Sequence, residues 1–301
     1  MIPSIHSPTE KREVFARDGT CIAYHITKPP FLGAKVVVLA NGLGGPHLAW
    51  RGLIDYLGDR YQFLTWDYRG LFGSGRPPAE VTDPYSVDRH VDDLRSILEA
   101  ESVDEAAFVG WSMGVQVSLE AFRKLGPKTV RSLVLLNGTF GRPLDTAVPV
   151  PFARHLVPSA LDVADRLHGL ISQVTRGIAR QPEAIRWMKR LGMMGDTLDE
   201  DEFGELIQAF GKLDMQIFLK NLLALGEHDA SRILPNIDIP VLVITGDKDR
   251  MTPRGLSQQM VRRIPSAEIL VVRGGTHYTA VEFPELVGLR IERFFRDQSF
   301  G

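Results

Sequence analysis

Residues 108–118 read FVGWSMGVQVS, a stretch in which Ser112 stands between Gly110 and Gly114, each two positions away. A serine hydroxyl is a poor nucleophile at neutral pH and works only beside a base that takes its proton. Imidazole titrates near neutrality and suits that task. A carboxylate on its far side then fixes the tautomer and steadies the imidazolium. The chain carries candidates for both. The segment VLVITGDKDRMTP holds two acids, Asp247 and Asp249, and ILVVRGGTHYTAVEFP holds His277. A serine, an imidazole and a carboxylate working together would attack a carbonyl carbon and pass through an acyl-enzyme.

Three side chains so distant in sequence must be gathered by the elements between them. KVVVLA, YQFLTW, EAAFVG, RSLVLLN, PVLVIT and AEILVV are short apolar runs rich in β-branched residues. Unbroken apolarity suits strands covered on both faces. Helical patterns lie between several of them. In YSVDRHVDDLRSILEA, Val87, Val91, Leu94 and Leu98 step by four and three onto one helix face. The expected fold is therefore α/β, a mostly parallel twisted sheet with helices on both faces. Ahead of it, REVFA and TCIAYHI flank Asp18-Gly19, a turn dipeptide, and read as a hairpin.

Ser112 falls between a strand, EAAFVG, and a helix, MGVQVSLEAFRKLG. A one-residue turn there strains the serine backbone and lifts its oxygen clear of the sheet. The flanking chain passes too close for side chains, which accounts for Gly110 and Gly114. The helix also points its free N–H groups and positive dipole end at the serine, where an oxyanion would form. Both acids and His277 follow strand runs, on the same sheet edge as Ser112, where open α/β sheets place their sites.

Regular alternation stops near Gly141 and resumes near Pro240. Ala164, Leu167, Ile171, Val174 and Ile178, then Phe203, Leu206, Ile207, Phe210 and Leu213, step helically between them. The acids of DEDEF open a helix. The expected organisation is a core domain of residues 1–141 and 229–301, with residues 142–228 inserted as an all-helical cap.

The 301 residues are 44% hydrophobic and 24% charged, with formal net charge −2. That suits a globular chain with a substantial core and gives no basic surplus for nucleic acid or an anionic membrane. Arg262 and Arg263 read as a solvated helix face. The N-terminal stretch lacks the pattern of a signal peptide, and no apolar run approaches membrane-spanning length. Cys21 stands alone, as a small buried strand residue, which fits a reducing, cytoplasmic setting.

Taken together, these motifs make the chain resemble the α/β-hydrolase superfamily over residues 12–297, as a serine-nucleophile member with a helical cap. The GxSxG elbow appears as GWSMG. The serine, acid, histidine order is that of the family. The acid loop appears as Gly246, Asp249 and Pro253, and this spacing favours Asp249 over Asp247. His277 is followed by Glu282 and Pro284, as in many members. Asn137 sits where some members carry the acid, but it holds no charge. The early loop reads ANGLGG, with Asn41 where histidine is usual, and DYRGLFGSGRP has Phe72 where glycine is usual. The resemblance implies Ser112 as nucleophile, His277 as base, Asp249 as its acid, and an oxyanion hole from the backbone N–H groups of Leu43 and Met113. Asn41 and Trp111 are the expected substrate contacts.

Other candidates read more plainly. His47 reads as a surface-loop histidine, and Trp187, Met188, Met193 and Met194 as the insertion's own core. His90, His155, His168 and His228 lack metal-ligand spacing. NGLGG lacks the Lys-Ser/Thr ending of a phosphate loop and the dinucleotide G-x-G-x-x-G. The expected activity is that of a cofactor-free serine hydrolase. It would cleave a small to medium, largely apolar carboxylic ester, thioester or lactone. The same triad also suits carbon–carbon bond hydrolysis, acyl transfer or perhydrolysis, and a ligand receptor on the same fold is the alternative of another class.

Overall fold

The computed structural model describes residues 9–143, 166–179, 181, 183–190, 194–195 and 197–300. All six apolar runs are strands. With the leading hairpin they make eight: β1 (Thr9–Phe15), β2 (Cys21–Thr27), β3 (Val36–Ala40), β4 (Gln62–Trp66), β5 (Ala106–Trp111), β6 (Val130–Leu136), β7 (Val241–Gly246) and β8 (Ala267–Val272). They form one sheet in the order β1-β2-β4-β3-β5-β6-β7-β8. Pairing is parallel from β4 through β8 and antiparallel where β2 meets β1 and β4.

Every residue of β5 and β7 is buried, as continuous apolar strands between two helical layers should be. The core accordingly divides into two clusters, one on each face of the sheet. Helix α1 (Arg51–Leu57) packs with the C-terminal helix Pro284–Asp297, and α2 (Val87–Ala100) with α3 (Met113–Leu125). The four α2 residues read as one face, Val87, Val91, Leu94 and Leu98, are all buried.

Between β6 and β7 the described residues form helices α4 (His168–Ala179), α5 (Glu183–Arg190), α6 (Glu200–Phe210) and α7 (Met215–Glu227), with no strand among them. The acids of DEDEF do open a helix: the Asp199 carboxylate caps α6 by accepting from the N–H groups of Asp201 and Glu202, both at 2.9 Å. Phe203, Leu206 and Leu213 are buried. By contrast, Leu167, just before α4, and Val174 and Ile178 on it remain exposed at 48–56%. Periodicity puts side chains on one face and leaves open what covers it. Ala164, His155 and Met193 lie outside the described residues.

Smaller expectations also meet the structure. Arg262 and Arg263 are exposed. Cys21 lies on β2 but is half-buried rather than buried, with Sγ 3.7 Å from a Glu13 carboxylate oxygen. Phe72 adopts φ +47°, so the loop keeps the backbone that glycine would favour although phenylalanine stands there.

Candidate active site

Sheet register brings the distant loops together. Trp111 pairs with Leu136, Leu136 with Ile244, and Gly246 with Val272, so β5 to β8 end side by side. The chain leaves β5 through Ser112 alone before α3 begins. Ser112 has φ +56° and ψ −114°, a costly conformation for any residue with a Cβ. A Cβ on Gly110 would stand 2.2 Å from the Gly114 carbonyl oxygen, and one on Gly114 would stand 2.0 Å from the Ala40 carbonyl oxygen. Both distances are far inside contact, so each position excludes every other residue.

The turn presents the Ser112 hydroxyl to His277. Oγ lies 2.9 Å from His277 Nε2, and His277 Nδ1 lies 3.0 Å from Asp249 Oδ2. Asp249 is buried and well held. Its Oδ1 accepts from the N–H groups of Met251 and Thr252 at 2.8 and 2.9 Å, and its Oδ2 from the Thr252 hydroxyl at 2.6 Å. Burial alone would raise this carboxyl, but the hydrogen bonds from His277 and Thr252 overcome it and hold Asp249 below the usual range. Asp247 is exposed and turns the other way, accepting from the Gly274 N–H at 2.7 Å.

Three further residues support this group: Thr252, which no motif singled out, and Asn137 and Glu282, whose contacts the motifs left open. Asn137, left-handed at φ +44° after β6, donates to Asp249 Oδ2 at 2.8 Å and to the Thr276 carbonyl at 3.0 Å. Thr252 gives Asp249 two of its hydrogen bonds. Glu282 accepts from the Thr276 N–H and hydroxyl at 2.8 and 2.6 Å and from the Gly195 N–H at 2.7 Å, tying the His277 loop to the segment between β6 and β7. The family spacing pointed at Glu282 but left its partners unstated.

Asn41, expected to touch substrate, turns inward instead. Its amide donates to the Trp66 carbonyl at 2.7 Å, and its side-chain oxygen accepts from Trp50 Nε1 at 2.6 Å and from the Thr65 hydroxyl at 3.1 Å. Its own carbonyl accepts from the Tyr68 hydroxyl at 2.7 Å. An amide so engaged has little left for a ligand, so Asn41 anchors the 41–46 loop. That loop lies against the serine: a Cβ on Gly42 would come 3.3 Å from Ser112 Cβ.

Beside Ser112 opens a cavity of about 660 Å³. Leu43, Trp111 and Tyr278 wall it near the serine and histidine, and Phe203, Leu206, Ile207, Phe210 and Met188 wall the helical side. No charged side chain lines it among the described residues. Trp111 both lines and packs, its Nε1 donating to the His277 carbonyl at 2.8 Å. Met194 is buried in the core. Burial, then the nearby acids Asp249 and Glu282, pushes the Tyr278 phenol up to about 12, so it stays neutral.

His47 is no simple surface residue. It is half-buried and stacks on His25, and burial, reinforced by that neighbour, pushes it down to about 4. His90 is fully buried and His228 half-buried.

A family-wide sequence pattern described as the alpha/beta hydrolase fold matches residues 35–284. The chain belongs to the α/β-hydrolase family. Among relatives of this hydrolase is RutD of Agrobacterium fabrum strain C58, whose name assigns it provisionally to carbamate hydrolysis. The two are 26% identical over 262 residues, 87% of this chain and 93% of that one. RutD of Escherichia coli O81 strain ED1a is also 26% identical, over 86% and 91% of the two chains. Among solved structures, the hydrolase matches an Exiguobacterium antarcticum esterase at TM-score 0.74 and 17% identity, over 95% of this chain and all of that one. An enol-lactonase from Burkholderia xenovorans LB400 matches at TM-score 0.74 and 20% identity, with the same coverage. These structural likenesses establish the fold. No described helix is long and apolar enough to cross a membrane.

Proposed function

We propose that this α/β hydrolase is a serine hydrolase that cleaves an apolar carboxylic ester, thioester or lactone through an acyl-enzyme. The observation that carries the reading is the unbroken line from Ser112 Oγ through His277 to Asp249, at 2.9 and 3.0 Å. His277 Nε2 takes the hydroxyl proton as Oγ attacks the substrate carbonyl carbon. Asp249, ionised and fixed by four donors besides His277, holds the Nδ1–H tautomer and stabilises the imidazolium. The tetrahedral oxyanion meets the N–H groups of Leu43 and Met113. Met113 opens α3, where backbone donors have no partner within the helix, and Asn41 holds the loop that carries Leu43. Losing one such donor typically costs about 2.7–4 kcal/mol of transition-state stabilisation. His277 then passes its proton to the leaving oxygen or sulfur. A water, deprotonated by the same imidazole, releases the acid and restores Ser112.

Residues 142–228 serve in this reading as a helical cap that excludes water from the bound substrate. The uncharged wall of α5 and α6 supports an apolar acyl or alcohol group. A carbamate presents a similar carbonyl to the same serine, and the RutD relatives favour that as a second reading; the cavity, mostly apolar and with no charged side chain among its described lining residues, favours the first. Acyl transfer, carbon–carbon bond hydrolysis and perhydrolysis use the same first step, and product analysis with competing acceptors separates them. A receptor built on this fold would turn over slowly, near once per chain. A cytoplasmic setting belongs to the same reading and rests on the single cysteine.

Fluorophosphonate labelling with the modified residue mapped is the direct test. Ser112 is expected to carry the label, and a panel of esters graded by chain length is expected to turn over best with apolar acyl groups. Ser112→Ala should stay folded and lose turnover on the order of a millionfold, as in another serine hydrolase. Labelling elsewhere, or turnover retained in that variant, refutes the assignment.

A further inference from the structure

His25, His47 and Asp67 come from β2, from the loop after β3, and from the residue that follows β4. One ligand-type atom from each lies within 4.8 Å of the others. The two imidazoles stack with centroids 3.7 Å apart and planes within 15°. His25 Nε2 stands 3.7 Å from Asp67 Oδ2, beyond hydrogen-bond reach. That oxygen accepts from the Gly73 N–H at 2.9 Å. The other, Oδ1, is buried with no hydrogen-bond partner among the described residues, on a side chain only 4% exposed. Neither imidazole makes a hydrogen bond to a described residue. A buried carboxylate and two imidazoles in such disuse are uncommon, because buried polar groups are normally paired.

We infer that His25, His47 and Asp67 form a binding site for a divalent transition-metal cation of the zinc type. The donor set of two imidazole nitrogens and one carboxylate oxygen is one zinc takes, with water or another ligand in the fourth place. Bonds of about 2.1 Å in a tetrahedron put donors roughly 3.4 Å apart. Donors already within 4.8 Å of one another need close by no more than about 1.4 Å to reach that spacing. The stack must open as they do, because parallel rings send their lone pairs side by side and not to one point. His47, half-buried at the start of the short helix His47–Trp50, is the more exposed of the two rings. The neighbouring cations are engaged elsewhere: Arg51 with Glu205 at 2.6 Å and Lys11 with Glu13 at 3.8 Å. The Asp67 carboxylate supplies the compensating charge. None of the three residues takes part in the proposed hydrolysis. A bound cation would tie β2 and the end of β4 to the loop that carries Leu43, and so would steady that loop.

The test is calorimetric titration of the full chain, freed of metal by dialysis, with zinc chloride. One zinc per chain is expected with a dissociation constant in the micromolar range or tighter, together with a rise in thermal midpoint. His47→Gln and Asp67→Asn should each weaken binding at least tenfold; the asparagine keeps the acceptor for Gly73, and circular dichroism checks that both variants fold. Ser112→Ala should bind zinc as the unaltered chain does, which keeps the outcome separate from the fate of the hydrolase reading. Absence of binding at millimolar zinc overturns the inference. So does an affinity unchanged in His47→Gln, which would place the ion on other histidines.

Discussion

Asn137 Nδ2 lies 2.8 Å from Asp249 Oδ2, the same oxygen that faces His277 Nδ1 at 3.0 Å. The amide thus donates to the acid from the position where some relatives of this fold carry the acid itself. It helps keep Asp249 aimed.

Asn137→Asp would set a second carboxylate against the first. Two carboxylates that close cannot both ionise freely, and the pair holds a proton at higher pH than either alone. The variant is expected to lose activity at neutral pH, and the acidic limb of its kcat/KM profile should move upward. A pH–rate series on one ester checks both; an unmoved limb would deny Asn137 its positioning role.

Asp249→Asn should impair turnover far more than Asp247→Asn. The first change gives His277 the wrong tautomer partner, a loss on the order of 10⁴ in the serine-protease precedent. The second removes one bond to the Gly274 N–H at an exposed turn. Single-turnover acylation rates decide between them, and the reverse ranking would exchange the two roles.

His90 should make stability fall in mild acid. It is fully buried on α2, its Nε2 3.0 Å from the Asn221 side-chain oxygen on α7, and burial, with the Arg69 charge adding to it, pushes its imidazole down to about 3. In the unfolded chain it binds a proton near pH 6.5. Below that value the unfolded state holds more protons, so stability is fully present above about pH 6.5 and drains away as pH falls toward 3. Urea unfolding across that window should show the loss, and His90→Gln should flatten it. An equal slope in the variant would assign the effect elsewhere.

Ile207→Glu places a carboxylate in the apolar wall of the cavity. Burying it costs most when a long apolar group must share the space. Hydrolysis of a long-chain ester should drop at least tenfold relative to the acetyl ester. An equal drop for both would mean the wall does not hold the acyl group.

Local residue patterns carried the strands and the elbow. Continuous apolar runs form buried strands where both faces of a parallel sheet are covered; all six became strands, but β8, at the sheet edge, buries only Val272. Gly110 and Gly114 were legible because a strand-to-helix turn of one residue leaves no room for Cβ. The acid loop was legible from the spacing of Gly246, Asp249 and Pro253, though with Asp247 in competition until the structure turned it outward. Where a loop side chain points depends on groups tens of residues away. Asn41 could not be seen to face Trp50, Thr65 and Trp66 until β3 and β4 paired. Likewise the meeting of His25, His47 and Asp67 exists only once β2 lies against β4. The α4 face of Val174 and Ile178 makes the same point from the other side: a helix repeat arises within one segment, while covering that face requires another. Sequence determined the elements and the kinds of group they carry, because propensity and patterning are local. Only tertiary structure decided which groups share a site, because that is set by sheet register and by the packing of elements remote in the chain.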